Sequence, residues 1–259
     1  MRSDRSWNRV TATLATAASA GIAFSLTATA SPAAAPGPAT ASGRAATTVA
    51  AKAPAPAQKP FTQILRESYG QYHEIVSNSE FNKTLFDHAL TKSQLITHLQ
   101  QRALVHNELH RILVSADPAL KVPYGSDQRN VLVFLFTDLI TLGSGWPTEA
   151  QARPLTAAFL QEIRESEKKG PYFALGVQHI YYGGITNGGR IIGQTIAEDL
   201  HFTPTYYLKS DGYQDYLPKV NQISDPAARA EMIRGGQEAY KYIIASSNED
   251  VFKAKKAAD

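Results

Sequence analysis

The stretch FTQILRESYGQYHEIV, residues 61–76, decides the architecture of this chain. Phe61, Ile64, Leu65, Tyr69, Tyr72 and Val76 recur at three- and four-residue steps, the period of one face of an amphipathic helix. His73 lies on or beside that face. Arg66 stands seven residues earlier, two turns up the same helix.

The same period continues towards the C-terminus. Thr91 is placed to cap a second helix whose buried side is Leu95, Leu99, Leu104, Leu109, Ile112 and Leu113. Residues 131–142 form a third, more apolar helix, broken by Gly143-Ser-Gly-Trp-Pro. Thr148 is expected to open a fourth, through Leu155, Phe159 and Ile163, which closes at Lys168-Lys169-Gly170 with cations and a glycine at its C-terminus. Residues 171–200 read as helix despite glycines at 176, 183, 184, 188, 189 and 193. Asp225-Pro226 starts a last helix, an N-cap followed by proline in the first turn, running to about Ser246. Alternating strand patterns are nearly absent, so the fold class is all-α.

Towards the N-terminus the composition changes. Residues 1–9 carry three arginines against one aspartate, and 10–30 follow with no charge and many Ala, Thr, Leu and Ile. Small residues then cluster before residue 36. Basic, apolar, small is the order of a secretory signal peptide, here residues 1–35. The stretch is too diluted with Thr and Ser for a membrane anchor, and no stable membrane span is expected in the mature form. A plastid-type transit peptide is the alternative, but such peptides scatter their arginines and none falls between Val10 and Gly43. Residues 36–59 read as a disordered Pro/Ala linker, residues 60–250 as the folded domain and 251–259 as a charged tail.

Removing the leader changes the charge balance. The 259 residues hold 26 Lys+Arg and 23 Asp+Glu, net +3; residues 1–59 take six of the basic residues and one of the acidic, leaving net −2. A near-neutral domain gives no argument for nucleic acid. The absence of cysteine excludes disulfides, iron–sulfur clusters and thiolate ligands.

Two features bear chemistry. The run Gly183-Gly184-Ile185-Thr186-Asn187-Gly188-Gly189 puts four glycines in seven residues, each costing about 1 kcal/mol against alanine inside a helix. It is either a kink that brings backbone close to a flat ligand or a plain loop between helices. His73 is either a satisfied core residue or a ligand, since imidazole on a helix is a common and rigid ligand to haem iron.

Together these segments resemble the haem oxygenase family. Residues 61–113 are similar to the family's first two helices, with His73 followed eight positions later by Phe81, then Phe86, Thr91 and Leu99. Residues 182–193, ending Gly188-Gly189-Arg190-Ile191-Ile192-Gly193, resemble its distal helix and look most like the plant and algal branch. Phe136-Thr137-Asp138-Leu139 fits an Asp-Leu pair on an intervening helix. The resemblance spans residues 61–246 and implies a multi-helical domain that sandwiches haem between a proximal helix and a glycine-kinked distal helix. It makes His73 the axial ligand to iron and Gly184 and Gly188 the close backbone contacts over the distal face. Tyr182, Gly183 and Gly189 join them around the haem, and Arg66 pairs with a propionate, with Lys209 and Lys219 as further propionate candidates. The implied activity is cleavage of haem, both substrate and cofactor, to biliverdin, carbon monoxide and iron, with O2 and electrons from a donor protein or small reductant.

One position departs from the pattern. Where many of the family carry an acid on the distal helix, and the plant branch a histidine, this chain has Ile185, which cannot order water. Thr186 is the nearest candidate substitute, with Asn187 and His179 behind it. An exported haem-binding protein without efficient oxygenase activity is therefore an alternative. A non-haem di-iron oxidase is a second, although His179 lacks acidic or His partners in the following positions, and His106, Glu108 and His110 fall on different helix faces.

Overall fold

The computed structural model describes residues 59–116, 120, 126–208 and 213–253, with only the backbone of 126–130. The expected leader and most of the expected linker lie outside the described residues, as does Lys209. The described elements are α1 (Phe61–Ser77), α2 (Glu80–Phe86), α3 (Lys92–Ala116), α4 (Ser126–Thr141), α5 (Pro154–Glu167), α6 (Tyr172–Leu200), α7 (Thr205–Leu208), α8 (Tyr213–Val220) and α9 (Pro226–Ser247), with single 3-10 turns at Glu149–Gln151 and Asp250–Phe252. Among the described residues there is no strand, and no helix is long and apolar enough to cross a membrane.

Local chemistry accounts for most of the boundaries. The Thr91 backbone N–H donates to Gln94 Oε1 at 2.8 Å while the Gln94 N–H donates to Thr91 Oγ1 at 3.3 Å, a reciprocal cap for α3. The Asp225 carboxylate accepts from the Ala227 N–H at 3.0 Å at the start of α9. Gly143 and Gly170, with φ of +76° and +115°, end α4 and follow α5 in backbone conformations that suit glycine.

Three expectations need correction. Thr148 precedes only the short 3-10 turn; α5 begins at Pro154, because Arg153 is extended and its N–H donates to Gln101 Oε1 at 2.8 Å on α3. α4 starts at Ser126, before Val131. The charged tail starts later than residue 251: Phe252 is buried in a cluster with Phe81 and Leu95, and its carbonyl accepts from Thr84 Oγ1.

Two apolar clusters organise the helices. The larger joins Phe61, Leu65 and Tyr69 of α1 to Leu109 and Leu113 of α3, Phe173 and Val177 of α6, and Met232 and Ala239 of α9. The smaller joins Leu95, Leu99 and Ala103 of α3 to Leu135 and Leu139 of α4, Ile185 and Ile196 of α6, and Tyr206 of α7. α6 and α9 cross at backbone contact: a Cβ on Gly176 would lie 2.1 Å from the Met232 carbonyl oxygen, and one on Gly235 would lie 2.1 Å from that of Phe173. This crossing holds α6 on α9, which also packs along α1.

Candidate functional site

On α1 the apolar stripe turns inward and leaves an open strip behind it. Tyr69 is buried and donates from its hydroxyl to the Met232 carbonyl at 3.2 Å, and Tyr72 stacks on Tyr240 with centroids 5.7 Å apart. Arg66, Gly70 and His73 are exposed. His73 is thus not a core histidine: its imidazole makes no hydrogen bond or ion pair among the described residues. Nothing lies within 4 Å of where a Gly70 Cβ would be, so the strip is both polar and unobstructed.

The glycine-rich run is not a loop. It lies inside the continuous 29-residue α6, and its glycines divide into two pairs with different surroundings. A Cβ on Gly183 would sit 2.8 Å from the Tyr213 hydroxyl, and one on Gly189 would sit 2.8 Å from the Tyr207 carbonyl oxygen, so this pair makes room for neighbouring protein. Gly184 and Gly188, one turn apart, have nothing within 4 Å. The structure therefore separates Gly183 and Gly189, packed against α8 and α7, from the open strip of Gly184 and Gly188. Tyr182 also turns inward, with its ring edge-on to Tyr213 and Tyr216 at 5.3 and 5.7 Å.

The candidate polar substitutes on α6 are engaged with their own backbone. Thr186 Oγ1 donates to the Tyr182 carbonyl and Asn187 Nδ2 to the Gly183 carbonyl, both at 2.8 Å. The Thr186 hydroxyl proton is thereby directed at the helix. Ile185 is 5% exposed and belongs to the smaller apolar cluster. His179 is buried among Tyr69, Tyr213 and Tyr216; burial lowers its pKa to about 4, so it is neutral at pH 7.

Sequence reading missed a polar group beside α6. Arg102 of α3 places its guanidinium carbon 4.7 Å from the centroid of the Tyr181 ring, with Tyr206, Tyr207 and Tyr242 nearby. His106, one turn along α3, shares a 3.0 Å hydrogen bond between its Nε2 and the Tyr206 hydroxyl. The signal was present: Arg102 and His106 interrupt the apolar series Leu95, Leu99, Leu109, Leu113. Asp138 has a structural position. Its carboxylate is 1% exposed and accepts from the Thr205 N–H and hydroxyl at 2.8 and 2.7 Å and from the Tyr206 N–H at 2.9 Å, which ties α7 to α4.

Lys219 is half-buried on α8. Glu108 pairs with Arg111 and Arg164 at 2.7 and 3.2 Å instead of joining His106 and His110. Among the described residues no group of three or more His, Asp or Glu side chains is arranged to hold a metal ion.

The family model described as "Heme oxygenase" matches residues 59–249. The chain belongs to the haem oxygenase family. Solved haem oxygenases have the same fold. That of Leptospira interrogans aligns with a TM-score of 0.65 at 18% identity, covering 73% of this chain and 99% of its own. Heme oxygenase-1 of the cyanobacterium Synechocystis, solved with heme, gives 0.64 at 17%, covering 73% and 91%. Heme oxygenase-2 of Synechocystis, solved with heme and NO, gives 0.63 at 15%, covering 76% and 88%. No curated protein matches the chain.

Proposed function

We propose that this haem oxygenase-family chain binds haem between α1 and α6 and cleaves it to biliverdin, carbon monoxide and iron, using O2 and an external electron donor. The observation that carries the reading is the pair of open strips. One presents an imidazole with no protein partner, His73; the other presents bare helix backbone at Gly184 and Gly188, where a Cβ would project into free space. A flat macrocycle with a central metal fits such a pair. His73 would bind the iron, Arg66 would face a propionate, and Gly184 and Gly188 would let the helix backbone approach the opposite face. Tyr182, Gly183 and Gly189 would support that wall from behind.

Bound haem supplies the redox chemistry, activating dioxygen against its own ring. The protein's contribution is orientation and exclusion of bulk water. α6, held on α9 at the Gly176 and Gly235 crossings, provides a fixed wall. The exported location proposed from residues 1–35 calls for an extracytoplasmic electron donor, either a protein or a small reductant.

The test is optical. Purified protein given hemin, then ascorbate in air, should lose the Soret band and yield biliverdin. Stable haem with only peroxidase-like turnover would support the second reading, an exported haem-binding protein without efficient oxygenase activity. The buried apolar side chain of Ile185 is the observation in favour of that alternative.

A further inference from the structure

We propose that the rings of Tyr213, His179, Tyr69, Tyr240 and Tyr72 form an electron-conducting line between the haem cleft and the protein surface. Through it a small reductant at Tyr72 supports a second activity, the reduction of hydrogen peroxide. The inference rests on the haem-binding reading of the cleft.

The rings follow one another without a gap. Centroids lie 5.9 Å apart from Tyr213 to His179 and 6.4 Å from His179 to Tyr69. The next steps, Tyr69 to Tyr240 and Tyr240 to Tyr72, are 5.8 and 5.7 Å, all within the range of packed aromatic pairs. The inner end touches the glycine-rich run: the Tyr213 hydroxyl is 2.8 Å from where a Gly183 Cβ would be, beside Gly184. At the outer end, successive helix residues turn by about 100°, so Tyr72 faces α9 while His73 stays on the open strip. Tyr72 and Tyr240 are half-buried, and Tyr72 interacts electrostatically with Lys241, whose side chain is 55% exposed.

Packing alone does not call for tyrosine here. Phenylalanine fills the same space without a hydroxyl to satisfy. The Tyr216 hydroxyl, on a ring flanking His179 and Tyr213, and His179 Nδ1 are buried with no hydrogen-bond partner, a cost of about 1–3 kcal/mol each. α9 also gives up a side chain to admit a phenol: a Cβ on Gly236 would lie 2.3 Å from the Tyr69 hydroxyl. What tyrosine adds is a proton that can leave with an electron.

The direction follows from burial. Burial raises the pKa of the Tyr69, Tyr213 and Tyr216 phenols, and Tyr69 donates only to the Met232 carbonyl, a weak base. A buried phenol that loses an electron therefore keeps its proton as a cation in an apolar setting, which is costly, and takes an electron from the next ring. The oxidation comes to rest at Tyr72, where water accepts the proton and a neutral phenoxyl radical remains. Two electrons drawn this way, with two protons, convert one hydrogen peroxide at the haem site to two waters. A small enediol or phenolic reductant returns one electron and one proton to Tyr72 each time.

The experiment uses the full chain, titrated with hemin and then given hydrogen peroxide. Freeze-quench electron paramagnetic resonance detects the radical, and a nitroso spin trap with mass spectrometry locates it. A tyrosyl signal and an adduct at Tyr72 are expected, with the adduct lost in Tyr72→Phe. Tyr69→Phe and Tyr240→Phe keep the rings but interrupt the line, so most of the Tyr72 adduct should disappear and peroxide-driven ascorbate oxidation should slow. Tyr240→Phe decides the matter if Tyr69→Phe, which also loses the bond to Met232, does not fold. Undiminished Tyr72 labelling in the folded variants, labelling only at other residues, or equal labelling of the haem-free chain overturns the proposal while leaving haem binding intact. A chain that takes up no hemin overturns the haem reading before peroxide is added, and the proposal with it.

Discussion

Tyr69 of α1 and His179 of α6 stand with their rings 6.4 Å apart, tilted by 45°. His73 lies one turn beyond Tyr69 and Gly183 one turn beyond His179, so one buried contact helps set the position of both candidate walls. His179 reaches that contact only as a neutral group, because its Nδ1 is buried without a partner.

This makes the fold sensitive to acid. Burial lowers the pKa of His179 to about 4. Burial, then the nearby Arg102, lowers His106 to about 3 and His98 well below its ordinary value. In the unfolded chain each titrates near 6.5. Because the folded-state values are depressed, the unfolded chain binds more protons as pH falls. The stability contributed is complete above 6.5 and is lost progressively below it, at up to about 1.4 kcal/mol per pH unit for each histidine. Urea unfolding at about pH 7 and about pH 5 should show this slope, and His179→Gln should flatten it. A slope unchanged by the substitution would remove His179 as a contributor.

The glycines predict opposite effects of the same substitution. Gly235→Ala and Gly176→Ala place a Cβ against a carbonyl oxygen of the facing helix, 2.1 Å away in each case. Neither backbone can yield cheaply, so each should destabilise by about 2–3 kcal/mol or more. Gly184→Ala and Gly188→Ala meet open space and should stabilise the haem-free protein by up to about 1 kcal/mol, the ordinary helix-propensity gain. The same two variants should bind hemin more weakly, because the added methyl occupies the proposed cleft. Thermal unfolding of the haem-free protein beside hemin titration measures both signs.

His73→Ala should separate ligation from folding. The side chain is exposed and makes no hydrogen bond or ion pair among the described residues, so the change in stability should stay within about 0.5 kcal/mol. The hemin complex should lose its histidine-ligated spectrum, and added imidazole should restore it. A large drop in unfolding free energy would instead assign His73 a structural role.

Much of the fold was legible in the 3.6-residue period and the caps, because both act within a few residues. Thr91 and Asp225 cap α3 and α9 where the sequence places them. Thr148 was misread because its start signal is local, whereas the place where α5 begins is set by Gln101, far along the chain on α3. The short helices α7 and α8 carry too few turns to show a period; α7 is fixed by the Asp138 carboxylate. The site divides in the same way. His73 and the glycine run announce themselves by residue type, but only the fold shows that Gly183 and Gly189 face protein while Gly184 and Gly188 face space. Arg102 was hidden for a related reason: a charge in an apolar series reads as a helix surface until the neighbouring helices are known.

Ile185→Asp tests what the apolar residue does. At 5% exposure among apolar neighbours, a carboxylate there should destabilise by about 3 kcal/mol or more at neutral pH. Burial raises the folded-state pKa of such an acid, so the penalty is complete above that pKa and fades as pH falls towards the unfolded value near 3.9. Ile185→Asn has nearly the same shape without the charge, so the stability gap between the two variants isolates the carboxylate and should narrow on acidification. Turnover then decides between the two functional readings. If the native distal side already suffices, wild type forms biliverdin and Ile185→Asp brings no gain in rate. A gain of biliverdin in the aspartate variant over an inactive wild type would assign the native chain to haem binding alone.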